Sequence, residues 1–169
     1  HHQANISNKD LKPINMSTEK TMTKELLRGG QFLVKETACE NIFTPEDFSE
    51  EQRMMKEAVM EFNERDIIAH RDRFEKKDYA LTEEVMRKAG ELGFLGVAVP
   101  EEYGGLGMGF VSTLLTCDYI SSGTGSFSTA FGAHTGIGTM PITLYGTDEQ
   151  KQKYVPKLAT AEWFGAYCL

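Results

Sequence analysis

From Ser126 to Gly146 the chain reads SFSTAFGAHTGIGTMPITLYG, without a single Lys, Arg, Asp or Glu. No other feature of the sequence restricts the fold so strongly. A surface helix carries charge along its solvated side; a segment that is apolar or small on every side reads as a helix inside a domain, packed all round. Its many Gly, Ala, Ser and Thr residues leave room for another backbone, or a flat ligand, to approach closely.

The surroundings predict the helices that would enclose such a segment. TPEDFSEEQRMMKEAVMEF opens a long helix. Ser49 with Gln52 has the capping-box spacing, and Glu46, Asp47, Glu50 and Glu51 suit a positive helix start. Met55, Val59 and Phe62, with Met54 and Ala58 beside them, form one apolar stripe, opposite Glu57, Glu61, Glu64 and Arg65. The charged run RDRFEKKDY reads as a solvated helix end. A second helix follows Thr82, with Val85, Met86, Ala89 and Leu92 on one side and Gly93 at its end. FLGVAVPEEYGGLGMG is then an irregular connector anchored by Phe94, Leu95, Val97 and Val99. A third helix runs from Phe110 to Ser122, burying Val111, Leu114, Leu115 and Tyr119. Thr147 and Gln150 cap a short helix through Lys153, which Pro156 interrupts or restarts. The closing run WFGAYCL is uncharged and aromatic, and reads as a buried strand. The expectation is an all-α helical bundle with one such strand after it.

The 169 residues suit one domain. Residues 1–15 read as the remnant of an expression tag, 16–43 as an arm over the surface, 44–162 as the helical domain and 163–169 as the start of a β-structure. A net charge of −7 disfavours nucleic acid and anionic membranes. No stretch approaches the roughly 20 apolar residues of a membrane span. Cys39, Cys117 and Cys168 are far apart, make no zinc spacing and fit a reducing cytoplasm.

The signals for chemistry are sparse. The cluster Gly104, Gly105, Gly107 and Gly109 misses the dinucleotide fingerprint, because Phe110 stands where the third glycine belongs, and it lacks the Lys of a P-loop. It is either a turn between helices or a loop lying against a ligand without binding phosphate. His134 has no Cys, His or carboxylate at three or four residues' distance, so no metal ligand set is expected. Two readings of it stand: a hydrogen-bonded core residue, or a catalyst. No catalytic residue is identified from the residues themselves.

Three blocks, KAGELGFLGVAVPEEYGGLGMG, GTMPITLYGTDEQKQKYVPKLAT and GAYCL, resemble in order and spacing the amino-terminal helical domain of acyl-CoA dehydrogenases. GGQFL, FTPEDFSEEQRMM and GAHTGIG resemble the very-long-chain branch. The resemblance covers about residues 43–169. It implies an enzyme of three domains, with this helical domain followed by a β-domain and a carboxyl-terminal four-helix bundle. The reaction implied is FAD-dependent α,β-dehydrogenation of a fatty acyl-CoA of long-chain type. A glutamate beyond this chain would remove the α-proton, and the flavin would accept the β-hydrogen as hydride. An electron-transfer flavoprotein is the implied acceptor and a homo-oligomer the implied assembly.

By the same resemblance, AYCL begins the first strand of the β-domain, so Tyr167, Cys168 and Leu169 are expected at the edge of the FAD site. The acyl-chain wall is expected on the central helix at Thr129, Ala130, Ala133, His134 and Ile137, with Leu106 of the glycine loop nearby. Ser128, Gly132 and Ala133 are small where a bulky side chain would close a tunnel. The other reading of those small residues is tight helix packing alone. Rival functions on the same fold are an acyl-CoA oxidase or flavin monooxygenase relative, or a non-catalytic helical assembly module.

Overall fold

A computed structural model of the protein describes Leu27 and residues 29–168. The tag-like residues 1–15, the first part of the arm and Leu169 lie outside them. The regular elements described are all helical: α1 (Glu50–Phe62), α2 (Arg71–Glu75), α3 (Tyr79–Glu91), α4 (Phe110–Ser121), α5 (Gly125–Gly132), α6 (Met140–Tyr145) and α7 (Asp148–Ala159), with short 3-10 and π turns between them. The expected all-α class holds for the described residues.

The helix starts follow local chemistry. Ser49 N–H donates to Gln52 Oε1 at 2.9 Å, and Gln52 N–H returns to Ser49 Oγ at 3.2 Å. Thr147 and Gln150 make the same reciprocal pair at the start of α7. Each pair satisfies two backbone donors that the first helical turn leaves without carbonyl partners. Asp78 caps α3 through Leu81 N–H, so that helix starts at Tyr79, ahead of the expected Thr82. Gly93, at φ 80°, ends it as expected. α7 runs through Pro156 to Ala159, past the expected interruption.

Packing joins α1 to α4, α3 to α5, α4 to α5 and α6 to α7. The main core gathers Val59 and Phe62 of α1, Ile67 just after it, Leu81, Val85, Met86 and Ala89 of α3, Ile120 of α4, and Phe127 and Phe131 of α5. Burying each large side chain of this set contributes about 1.5–3 kcal/mol. Phe62 meets Phe94 edge-on at 5.4 Å between ring centres. Phe74, inside the run read as a solvated helix end, is buried in α2 and tilts against Phe127 at 5.4 Å. One aromatic among charges is enough to anchor a short helix. Leu114, expected inside, is 53% exposed, while Ser112 and Thr116 are buried. α4 is apolar nearly all round, so its pattern could not show which side faces in.

α5, a π-helical stretch over Ala133–Thr139 and α6 follow one another with helical backbone at both junctions. They form the central helix. Phe127, Phe131, His134, Thr139 and Thr143 face the interior, but Thr129, Gly132, Gly136, Ile137, Leu144 and Tyr145 are exposed. The helix is therefore not packed all round, as expected, but has one open, charge-free side. Lack of charge shows that a helix side avoids isolated charge; it does not say what covers that side.

Residues 164–168 also differ from expectation. They carry no regular structure and are mostly exposed, where a buried strand was read. A strand needs a neighbour to take its N–H and C=O groups, and none of the described residues forms one. The segment does make one tight crossing. A Cβ placed on Gly138 would stand 2.6 Å from Gly165 Cα, and one on Gly165 would stand 2.9 Å from Gly138 Cα. The two backbones touch because neither residue has a side chain.

Two alanine substitutions in the central helix should therefore act in opposite directions. Gly138→Ala forces one backbone off another and should lower stability by about 1–3 kcal/mol. Gly132 is helical and its added Cβ would meet nothing within 4 Å, so Gly132→Ala should raise stability by about 0.5–1 kcal/mol. Urea unfolding of the two variants beside the parent chain checks both signs.

Candidate functional site

Pro141 stands just inside α6 and has no N–H to donate. The helix meets this with the widened π stretch that precedes it, and the Thr139 hydroxyl donates to the His134 carbonyl five residues back, at 2.8 Å. The wide turn displaces the helical register, so the sides before and after it are offset.

Beside this stretch lies a cavity of about 150 Å³. Its walls come from the connector (Phe94, Leu95, Val97, Ala98, Val99), from α4 (Thr113, Thr116, Cys117) and from the central helix (Phe131, Gly132, Thr135, Gly136, Thr139, Met140). Gly132 and Gly136 are also exposed, and a Cβ on either would meet nothing within 4 Å. They place the mouth of the cavity on the open side of the helix. A larger hollow of about 310 Å³ is lined only by the turn Ile68–Arg73, and lacks the second wall an enclosing site needs.

The lining looks partly polar in sequence, with four threonines and a cysteine, but is chemically apolar. Thr116 Oγ1 donates to the Ser112 carbonyl at 2.9 Å, Thr135 Oγ1 to Phe131 at 2.9 Å, and Thr139 Oγ1 to His134. Thr113 Oγ1 reaches the Gly109 carbonyl at 3.4 Å. These hydroxyl protons are engaged inside their own helices. Burial pushes the Cys117 thiol above its ordinary value, so it stays a neutral, weakly polar group. No Lys, Arg, Asp or Glu lines the cavity. Such a space takes an alkyl chain and offers a charged group no partner.

Of the expected acyl-wall residues, Thr129 and Ile137 are exposed and Ala130 and Ala133 half-buried, all on the central helix. Ser128 is engaged between helices, donating to Ser121 Oγ at 2.9 Å. Leu106 lies by the connector, its side chain over Gly93. The glycine loop turns on itself: Leu106 N–H donates to Gly96, Gly107 N–H to Val99 and Met108 N–H to Val97, all within 2.9 Å. Those donors have partners, which favours the turn reading.

His134 departs from its neighbours and faces the core, 1% exposed. Nε2 lies 2.8 Å from the Leu158 carbonyl and Nδ1 accepts from Gly165 N–H at 3.0 Å. A carbonyl can only accept and an amide N–H only donate, so the ring is the neutral tautomer with its proton on Nε2. Burial pushes its pKa below the usual value, opposed in part by the Leu158 carbonyl. This is the core-residue reading of His134, with a tie to the terminal segment added. Tyr167 and Cys168 continue that segment and are exposed; Leu169 is outside the described residues.

The α4 wall and Gly136 were not singled out from sequence. The signal present was the rarity of charge in Phe110–Ser122, where Asp118 stands alone, next to a second segment with none. No group of three or more His, Cys, Asp or Glu able to hold a metal occurs among the described residues, and none of their helices is long and apolar enough to cross a membrane.

The comparisons agree on one family. The family model described as acyl-CoA dehydrogenase, N-terminal domain, matches residues 49–162. A probable acyl-CoA dehydrogenase of Bacillus subtilis (strain 168) is 42% identical over 145 residues, 86% of this chain and 24% of the relative. A mitochondrial isovaleryl-CoA dehydrogenase of Solanum tuberosum is 36% identical over 123 residues, 72% of this chain and 30% of the relative. The crystal structure of an acyl-CoA dehydrogenase complexed with FAD from Bacillus anthracis superposes with a TM-score of 0.76 at 42% identity, covering 81% of this chain and 24% of that one. The chain thus spans 24–30% of the length of these relatives. It belongs to the acyl-CoA dehydrogenase family and matches the family's N-terminal domain.

Proposed function

We propose that this chain is the acyl-chain-binding part of an FAD-dependent enzyme that dehydrogenates fatty acyl-CoA thioesters between the α and β carbons. The observation that carries the reading is the charge-free, open side of the central helix, where Gly132 and Gly136 edge an apolar cavity. In this reading the tail lies along Thr129, Ala130, Ala133 and Ile137 and enters between α4 and the central helix. The walls of the cavity exclude water from the part of the tail that enters it. Each methylene so buried contributes about 0.8 kcal/mol, which lets an open path favour long chains by area alone.

FAD, when bound, supplies the hydride acceptor. The segment with Tyr167 and Cys168 is exposed among the described residues, which fits a place beside the flavin. The proton-abstracting glutamate and the groups that polarise the thioester oxygen belong to chain beyond Leu169. An electron-transfer flavoprotein receives the electrons, and the assembly is homo-oligomeric.

In this reading the 169-residue chain with acyl-CoA and an artificial acceptor dye gives no reduction above blank, whereas protein extended over the relatives' full length retains FAD and reduces the dye. Dye reduction by the short chain, or failure of the extended protein to bind FAD, contradicts it. In the extended enzyme Gly132→Leu closes the cavity mouth and should move the optimum of kcat/KM toward shorter acyl chains by several carbons; an unchanged chain-length profile refutes the tunnel.

The cysteines offer a second test. Cys39 and Cys168 are exposed while Cys117 lines the cavity as a neutral thiol. At neutral pH iodoacetamide should label the first two at least about tenfold faster than Cys117. A long-chain acyl-CoA should slow Cys117 further without protecting Cys39. Equal labelling of all three would show that Cys117 is not shielded by the cavity walls.

A further inference from the structure

The segment after α7 is tied down in steps. Arg87 of α3 donates to the Ala161 carbonyl at 2.8 Å, and Trp163 N–H donates to the Lys157 carbonyl at 3.0 Å. Trp163 packs on Tyr154 and under the Lys157 ammonium. Past Trp163 the chain crosses the central helix where Gly138 and Gly165 touch, two residues with no side chain of their own to hold the crossing. The hydrogen bond that fixes the crossing runs from Gly165 N–H to His134 Nδ1.

We propose that His134 is a proton-operated latch: the neutral ring holds the segment leading to Tyr167 and Cys168 across the central helix, and the doubly protonated ring releases it. For what the latch positions, this rests on the function proposed above; His134 is a positioning residue and touches no reacting atom. The chemistry is one-sided. A second proton can go only to Nδ1, where it sets an N–H against the Gly165 N–H 3.0 Å away. The bond from Nε2 to the Leu158 carbonyl survives protonation and strengthens. Release therefore concerns the segment beyond Trp163 and leaves α7 in place.

The surroundings favour the shut state at neutral pH. The ring is buried, and Phe164 covers it edge-on at 6.0 Å. The central helix carries no charge. From α3, Arg87 lies over Phe164 at 5.3 Å and pairs with Glu83. From α7, Lys157 pairs with Glu162 of the terminal segment at 2.7 Å. The ring's hydrogen bonds go to two backbone groups, neither of them anionic. Burial pushes the imidazole below its usual range. A group lowered in this way holds its full contribution above the unfolded value of about 6.5 and loses it as pH falls through the folded one.

Amide hydrogen exchange of the 169-residue chain by NMR tests the latch, corrected for the intrinsic pH dependence of exchange. As pH falls from about 7 to below the midpoint at which the His134 ring signals themselves titrate, the protection of Gly165 should fall at least about tenfold, while Val59 and Phe62 in α1 keep theirs. His134→Asn retains an acceptor near Nδ1 but cannot titrate, so its Gly165 protection should not change with pH. Constant protection of Gly165 in the parent chain overturns the latch. So does its loss together with Val59 and Phe62, or a pH dependence that persists in His134→Asn. No flavin or substrate enters the measurement, so a failed latch leaves the dehydrogenase reading standing, and failure of FAD binding leaves the latch standing.

Discussion

Proline inside a helix removes a hydrogen bond and crowds the carbonyl four residues before it, and much of this domain follows from how the chain meets that constraint at Pro141. The π stretch Ala133–Thr139 makes room, and the Thr139 hydroxyl donates to the His134 carbonyl within it. The widened turn offsets the residues before it from those after it. Ala133 and Ile137 then lie toward the open side, His134 turns inward, and Gly138 comes under the terminal segment. A regular helix would set these residues at other angles.

The second constraint is electrostatic. Charge is missing from the central helix, nearly missing from α4, and absent from the cavity between them. The threonine hydroxyls there are closed onto helix carbonyls. A carboxylate at the end of a tail would enter with no cation to meet it and would lose several kcal/mol of hydration. A methyl end loses nothing. An uncharged alkyl chain is the kind of occupant such walls tolerate, and the acyl tail proposed above has that chemistry.

Much of this was legible in the sequence, and for physical reasons. Capping boxes are local, so Ser49–Gln52 and Thr147–Gln150 could be read directly. The stripe of Val59 and Phe62 has helical period and is buried as read. Where pattern carries no period, reading failed. α4 is apolar on several sides, so Leu114 was placed inside and is outside. The central helix has no charge on any side, so it was read as fully covered and is open along Gly132 and Gly136. Phe74 among charged neighbours looked solvated, yet one aromatic decides the fate of a short helix. The π turn leaves only an ambiguous trace, a Pro two residues after a Thr; His134, on the acyl wall by family register alone, faces the core, as its residue-level reading also allowed. The strand read at the terminus depended on a partner that no described residue provides.

The central claim is that an alkyl tail lies in contact with the glycine-edged side of the central helix. Intermolecular nuclear Overhauser effects between a long-chain acyl-CoA and the methyl groups of this domain test it most directly. The account predicts contacts from the tail to Ala133, Ile137 and Met140 and from its far end to Thr113 or Thr116, with none to Val59 or Val85 in the main core. A tail bound at the same concentration but in contact with α1, α3 or the Ile68–Arg73 hollow, and not with the central helix, would contradict it.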